Sequence, residues 1–142
     1  MEKNNIELHL MDFEGKLNPK KKYFDVSKYL KFVKSKMENK KTIFELEEER
    51  YAWSLATFPK ASAIGSLNKL RDEVDEIEEN IKEGKRDVME YADVLMCLFD
   101  SARRQENPIL IQEIFDAFEQ KLEINKKRIW SENDNGSYSH VK

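Results

Sequence analysis

Between Leu67 and Asp93 the apolar residues recur at a spacing that only an α-helix satisfies, and carboxylates recur with them. Leu67, Leu70, Val74, Ile77 and Ile81 fall three or four apart and line one side of a first helix. Gly84 interrupts the pattern, and a second amphipathic stretch begins at Asp87. Glu73 and Glu76 lie three apart on the first helix, and Glu90 and Asp93 repeat that spacing on the second. Each pair therefore projects from neighbouring turns of one face. Packed antiparallel across the turn, the two helices bring four carboxylates to one place. Two like charges about 4 Å apart repel by roughly 4 kcal/mol at an effective dielectric near 20, so a converging cluster calls for bound cations. Oxygen ligands without Cys or His suit Mg2+ or Mn2+ rather than zinc.

Two plainer readings compete. The first helix is acidic throughout, with Asp72, Asp75, Glu78 and Glu79 as well, and a charge run is ordinarily a solvated face. Glu90 can also serve as the third residue of a capping box opened by Asp87. The stretch from Asp87 to Arg104 weighs against both. It is apolar on more than one side, with Val88, Met89, Ala92, Leu95, Met96 and Phe99 on one and Tyr91, Val94 and Leu98 on another. It is predicted to be the most buried helix of a bundle. Glu90, Asp93, Cys97 and Asp100 share one stripe of it, and carboxylates on a buried helix need partners. Cys97 among them reads as a small buried filler rather than a nucleophile.

The remaining elements support an all-α fold. Only 4 Gly and 3 Pro in 142 residues are too few for a many-turned β architecture. In the N-terminal part, IELHLMDF alternates and reads as a short strand or an irregular arm, and Pro19 breaks any regular element after it. Asp25 or Ser27 caps a helix to about Asn39. Its face of Lys28, Lys31, Lys34 and Lys36, with Lys40 and Lys41 after it, is a solvated basic surface or a local attraction for a polyanion. Thr42 and Glu45 form a capping box for TIFELEEERYAWSLATF, which Pro59 stops. Trp53 and Phe58 stand near its end. Ser62 or Ser66 starts the acidic helix. Asn107-Pro108 opens the last helix with Pro at its first position, and Ile111, Ile114, Phe115, Phe118, Leu122 and Ile129 mark its apolar face. Lys121, Asn125 and Arg128 align hydrogen-bond donors along another stripe. The tail after Trp130 is polar and predicted to be disordered.

Several function classes are excluded. A net charge of −3 and a pI near 5.6 offer nothing general to nucleic acid. The single Cys97 forms no internal disulfide, and no run has the length of a membrane span or the form of a signal peptide, so a cytoplasmic location is expected. The glycines are too scattered for a phosphate loop, and His9 and His140 supply neither a zinc site nor a triad.

Four blocks in order, ERYAWSLATFPKAS, LNKLRDEVDEI, MEYADVLMCLFDSARR and KLEINKKRIW, resemble the all-α nucleotide pyrophosphohydrolases of the MazG type, and most closely the phage-associated dATP/dGTP diphosphohydrolase group. The acidic signature EExxE then ExxD of that superfamily stands here as DEVDE and EYAD. The resemblance covers roughly residues 48–130 and implies a four-helix-bundle-like catalytic domain there; outside it, 1–47 are expected to form an extra arm and basic helix packed on that domain, and 131–142 a disordered tail. It implies Glu73, Glu76, Glu90 and Asp93 as Mg2+ ligands, with Mn2+ able to substitute. It also implies Lys121, Asn125 and Arg128 as contacts to triphosphate or sugar, and a homodimer or homotetramer; Trp53 and Phe58, from their place beside the acidic helix, read as core residues or as aromatics stacking on the substrate. The family often has Glu where Asp72 stands, and the shorter side chain leaves the choice of general base open between Glu73 and Asp72. The implied reaction is hydrolysis of a nucleoside triphosphate, foremost a purine dNTP, to monophosphate and pyrophosphate. Related enzymes acting on dUTP or phosphoribosyl-ATP, and a non-catalytic acidic bundle that binds a partner protein, are the alternatives.

Overall fold

The structure is a computed structural model and describes residues 5–7, 23–38 and 40–142. The chain divides into two compact units, residues 1–41 and 42–142. In the first unit, strand β1 (Asn5–Glu7) pairs antiparallel with β2 (Tyr23–Asp25), setting Ile6 opposite Phe24. Helix α1 (Val26–Met37) comes directly after. The strand alternative for IELHLMDF thus holds at its start. Its remainder, His9 and the Pro19 break lie outside the described residues.

The second unit carries helices α2 (Ile43–Thr57), α3 (Ala63–Lys82), α4 (Met89–Arg103) and α5 (Ile111–Lys126), the all-α four-helix architecture expected. The unit starts at Thr42 because that residue caps α2: its hydroxyl accepts from Glu45 N while the Glu45 carboxylate accepts from Thr42 N. Between the two serines that can start α3, Ser62 takes the cap, accepting from Gly65 N at 3.0 Å. Ser66 is thereby left free for another task. Gly84, at φ 67°, closes α3, with Lys85 N reaching back to the Asn80 carbonyl at 2.8 Å. The chain then returns, and α4 packs along the length of α3, while α2 lies on α4 and α5 touches α2 through the edge-to-face rings of Phe44 and Phe115.

Three expectations are corrected. Asp87 does open α4, but by accepting from Met89 N alone; no capping box with Glu90 forms. Pro108 is not the first residue of α5. Ile109 N donates to the Ala102 carbonyl, which ties that segment to the end of α4, and the helix starts only at Ile111 behind an extended Leu110. In place of a disordered tail, β3 (Trp130–Glu132) and β4 (Tyr138–His140) form an antiparallel hairpin. Its turn uses Gly136 at φ 77°, and the Asn133 side chain donates to the Ser137 and Ser139 hydroxyls. Among the described residues no helix is long and apolar enough to cross a membrane.

The buried interior is small and mostly polar. Phe99, Ala102 and Ile111 are its buried hydrophobic residues, and α4 supplies five consecutive buried positions, Phe99 to Arg103. At its centre the Asp100 carboxylate accepts from Arg50 Nη1 and Ser54 Oγ on one oxygen and from Ser66 Oγ and Arg104 Nε on the other, at 2.6–2.9 Å. Arg50 is held in turn by Glu47, only 2% exposed, through two bonds of 2.6 and 2.7 Å. One carboxylate so joins α2, α3 and α4. Burial by itself pushes the Asp100 carboxyl up, but the bonds from Ser66, Arg50, Ser54 and Arg104 outweigh it and hold the group below its ordinary range.

A carboxylate whose folded pKa lies below its unfolded value stabilises the fold above about pH 4, and that contribution is lost as pH falls further. Asp100→Asn should therefore cost about 3 kcal/mol at neutral pH. It should also flatten the decline of stability below about pH 4. Urea unfolding followed by circular dichroism from pH 3 to 7 checks both, and a wild-type slope in the variant would refute the assignment.

Candidate functional site

The α3–α4 hairpin brings Glu73, Glu90 and Asp93 together, with one carboxylate oxygen of each within 4.8 Å of the others. Glu73 is buried at 5% exposure, and Glu90 and Asp93 are half-buried. Desolvation pushes the Glu90 carboxyl up, and a hydrogen bond with Glu73 and the charges of Glu76, Asp87 and Glu73 push the same way. One buried and two partly exposed carboxylates, with Glu90 already raised, form a set that a divalent cation fits, because oxygen ligands of this kind neutralise it. A partial substitute comes from the chain itself: Lys69 Nζ pairs with Glu73 from one turn earlier on α3. The two remaining acids predicted for the site stand apart. Glu76 is exposed and outside the compact group, though its charge reaches Glu90; Asp72 is exposed on the side of α3.

Beside these acids lies a cavity of about 440 Å³. Glu73, Asp93 and Lys69 line one part of it, and Trp53, Phe58 and Met96 supply apolar wall. Trp53 and Phe58 meet edge to face with ring centroids 5.3 Å apart. Arg50, Ser54, Ser66 and Asp100 also line it, so the buried polar network forms part of its wall. The site thus offers an anionic cluster for cations and, next to it, an aromatic and polar pocket of the size a small organic ligand needs. Cys97 lines the wall as well; burial first, and then the Glu73 charge, push its thiol up, which keeps it protonated and suits a filler.

The donors of α5 are placed elsewhere. Arg128 Nη1 donates to Asn125 Oδ1 at 3.1 Å, and the Asn125 carbonyl accepts from the Trp130 indole. Lys121 is exposed, and none of the three lines the cavity. Lys69, Arg50, Ser54 and Ser66 line the cavity, and Arg104 holds Asp100 in its wall; sequence reasoning singled out none of them for the site. Spacing shows only which of them share a helix face, as Arg50 with Ser54, Lys69 with Glu73 and Asp100 with Arg104, each four apart; it does not join one helix to another.

The chain is similar to known proteins. A family model described as dATP/dGTP pyrophosphohydrolase matches residues 46–142. The dATP/dGTP diphosphohydrolase of Cyanophage S-2L is 32% identical over 100 residues, covering 70% of this chain and 89% of that protein. The dATP/dGTP diphosphohydrolase of Salmonella phage PMBT28 is 28% identical over 70% of this chain, but that match spans only 32% of the longer relative. Among solved structures, the Cyanophage S-2L MazG-like pyrophosphohydrolase, bound to dGDP and three catalytic Mn2+ ions per active site, superposes with a TM-score of 0.58 at 31% identity, covering 72% of this chain and 99% of that one. The chain belongs to the dATP/dGTP pyrophosphohydrolase family and is a MazG-like nucleoside triphosphate pyrophosphohydrolase.

Proposed function

We propose that the protein hydrolyses purine deoxynucleoside triphosphates between the α- and β-phosphates, with Mg2+ as its working metal and Mn2+ as a substitute. The convergence of Glu73, Glu90 and Asp93 beside the aromatic pocket carries this reading. The names of the phage relatives, and the dGDP and Mn2+ of the solved neighbour, support the purine and the divalent cation.

In this reading Glu73, Glu90 and Asp93 hold the cations, and Glu76 joins them through a rotamer change that its exposure permits. Bound divalent ions neutralise phosphate oxygens and acidify water. Trp53 and Phe58 flank the base in this reading, which their place in the wall of a pocket next to the acids supports. Water attacks the α-phosphorus, its proton passes to a carboxylate, and the bond to the β-phosphate oxygen breaks so that pyrophosphate leaves with the electron pair. Glu73 is favoured over Asp72 as the acceptor because it stands inside the cluster, whereas Asp72 faces solvent. Lys121 and Arg128 receive the departing pyrophosphate through charge-assisted bonds.

Residues on α5 that miss the cavity of their own chain require something to bring them to a substrate. The apolar surface suggests what. Phe118 is 66% and Ile129 75% exposed, and Met89, Tyr91, Leu95 and Leu98 of α4 are exposed as well. So thin a buried core is too small to stabilise a unit of this length by itself. The reading therefore includes an obligate oligomer of this chain, dimer or tetramer, covering α4 and α5.

Release of monophosphate and pyrophosphate across all common NTPs and dNTPs should be fastest with dATP or dGTP, and a chelator should abolish it. Glu76→Gln and Asp93→Asn should each lower kcat at least about tenfold, and full activity in both would remove the site assignment.

Lys121→Ala and Arg128→Ala should lower kcat/KM by roughly ten- to a hundredfold, while stabilisation by Mg2+ alone stays as in the wild type. Loss of that stabilisation in either variant would contradict a phosphate role.

Sedimentation at micromolar concentration should show no monomer. A clean monomer of folded protein would eliminate the assembly.

A further inference from the structure

The acids of the site have no reason of their own to face one another, so something else must set the pairing of α3 with α4. Apolar packing contributes only in part: Leu67, Leu70 and Ile77 of the α3 stripe are half-buried and Val74 and Ile81 exposed, while the fully buried residues of α3, Ser66 and Glu73, are both polar. Ser66 Oγ donates to Asp100 Oδ2 at 2.6 Å. Seven residues on along α3 from Ser66 comes Glu73, and seven back along α4 from Asp100 comes Asp93, its neighbour in the carboxylate cluster. Seven residues are close to two turns, about 10.5 Å of rise. Both contacts therefore belong to one register of the same two faces. A slip of one residue turns a helical face by about 100° and breaks both.

Asp100 is suited to fix that register because it cannot follow Ser66. Arg50 and Ser54 hold it from α2, and Arg104 holds it from one turn further along α4. We infer that the Ser66–Asp100 hydrogen bond is the pin that sets Glu73 against Glu90 and Asp93, so that Ser66 and Asp100 are positioning residues for cation binding. This rests on the proposed metal role of those three carboxylates. Groups that orient ligands without touching the metal commonly change its affinity by ten- to a hundredfold when lost.

The test is calorimetric titration of the full chain with Mn2+ alone, without nucleotide, at a temperature where circular dichroism shows each variant folded. Ser66→Ala should bind Mn2+ roughly tenfold more weakly than wild type and lose kcat at saturating metal. Ser66→Thr, which restores the hydroxyl, should recover both. Glu48→Gln, which removes the ion pair of Glu48 with Arg103 at a different point of α4, should bind Mn2+ as wild type does, separating register from general loosening. If Ser66→Ala does not fold, Asp100→Glu takes its place: it keeps the charge that meets the arginines, shifts the carboxylate by one methylene, and should weaken Mn2+ similarly. Wild-type Mn2+ affinity in either variant overturns the inference and leaves the metal site standing. A wild-type protein that binds no Mn2+ overturns the metal reading and this inference together.

Discussion

Asp100 is a single negative charge withdrawn from water, and the second unit is arranged to tolerate it. An isolated buried carboxylate is strongly disfavoured, yet here each oxygen accepts two hydrogen bonds, two of the four from guanidinium groups. Arg50 brings its own compensation in Glu47. The result is a polar centre where a small helical protein ordinarily has leucines. Replacing such a centre by well-packed hydrophobic residues is often neutral or stabilising, so stability alone is a weak reason for its presence. Its geometric effect is more specific. Hydrogen bonds have direction, and four of them on one carboxylate fix helix rotation and sliding in a way that packing of side chains as exposed as Val74 and Ile81 does not.

The carboxylate cluster is the opposite electrostatic case. Asp100 has an excess of donors around it, whereas Glu73, Glu90 and Asp93 have Lys69, largely exposed, as the cation at hand. The unequal provision is consistent with a structural role for Asp100 and with the proposed cation role for the other three. Lys69 pairs with Glu73 across one helical turn, a geometry of modest strength for a largely exposed lysine. The same hairpin therefore carries a closed network at one end and an open one two turns away.

Legibility in the sequence is governed by distance along the chain. The ExxE and ExxD pairs, the Gly84 turn and the Thr42–Glu45 box all depend on residues within a few positions of one another, and helical periodicity reports those directly. Ser66 looks like a rival N-cap because its true acceptor, Asp100, is 34 residues away, and no local rule joins them. Arg50, Ser54 and Asp100 are invisible as a network for the same reason. The start of α5 is displaced from Pro108 because the bond from Ile109 N to the Ala102 carbonyl, a tertiary contact, overrides the preference of proline for a first turn. The C-terminal hairpin is a different failure. Asn135-Gly136 between alternating residues is a local turn signal, but the low hydrophobicity of the segment masks it.

Exposure of the apolar residues of α4 and α5 connects these observations. Their periodicity is that of a core, yet in one chain Met89, Tyr91, Phe118 and Ile129 are open to solvent. Patterns of burial in a sequence do not say whether the covering surface comes from the same chain or another copy. The same ambiguity of origin applies to Lys121 and Arg128, which lie on or just beyond α5 beside those exposed positions and away from the cavity. If burying the apolar stripe of α5 requires a second copy, that contact also decides which cavity its basic residues approach. Assembly and phosphate binding then stand or fall on one interface. On the proposed assembly, a substitution such as Phe118→Glu, remote from the acids of its own chain, should reduce catalysis by dispersing the subunits, with the proposed Mn2+ binding by the α3–α4 hairpin persisting in the dispersed chains that remain folded.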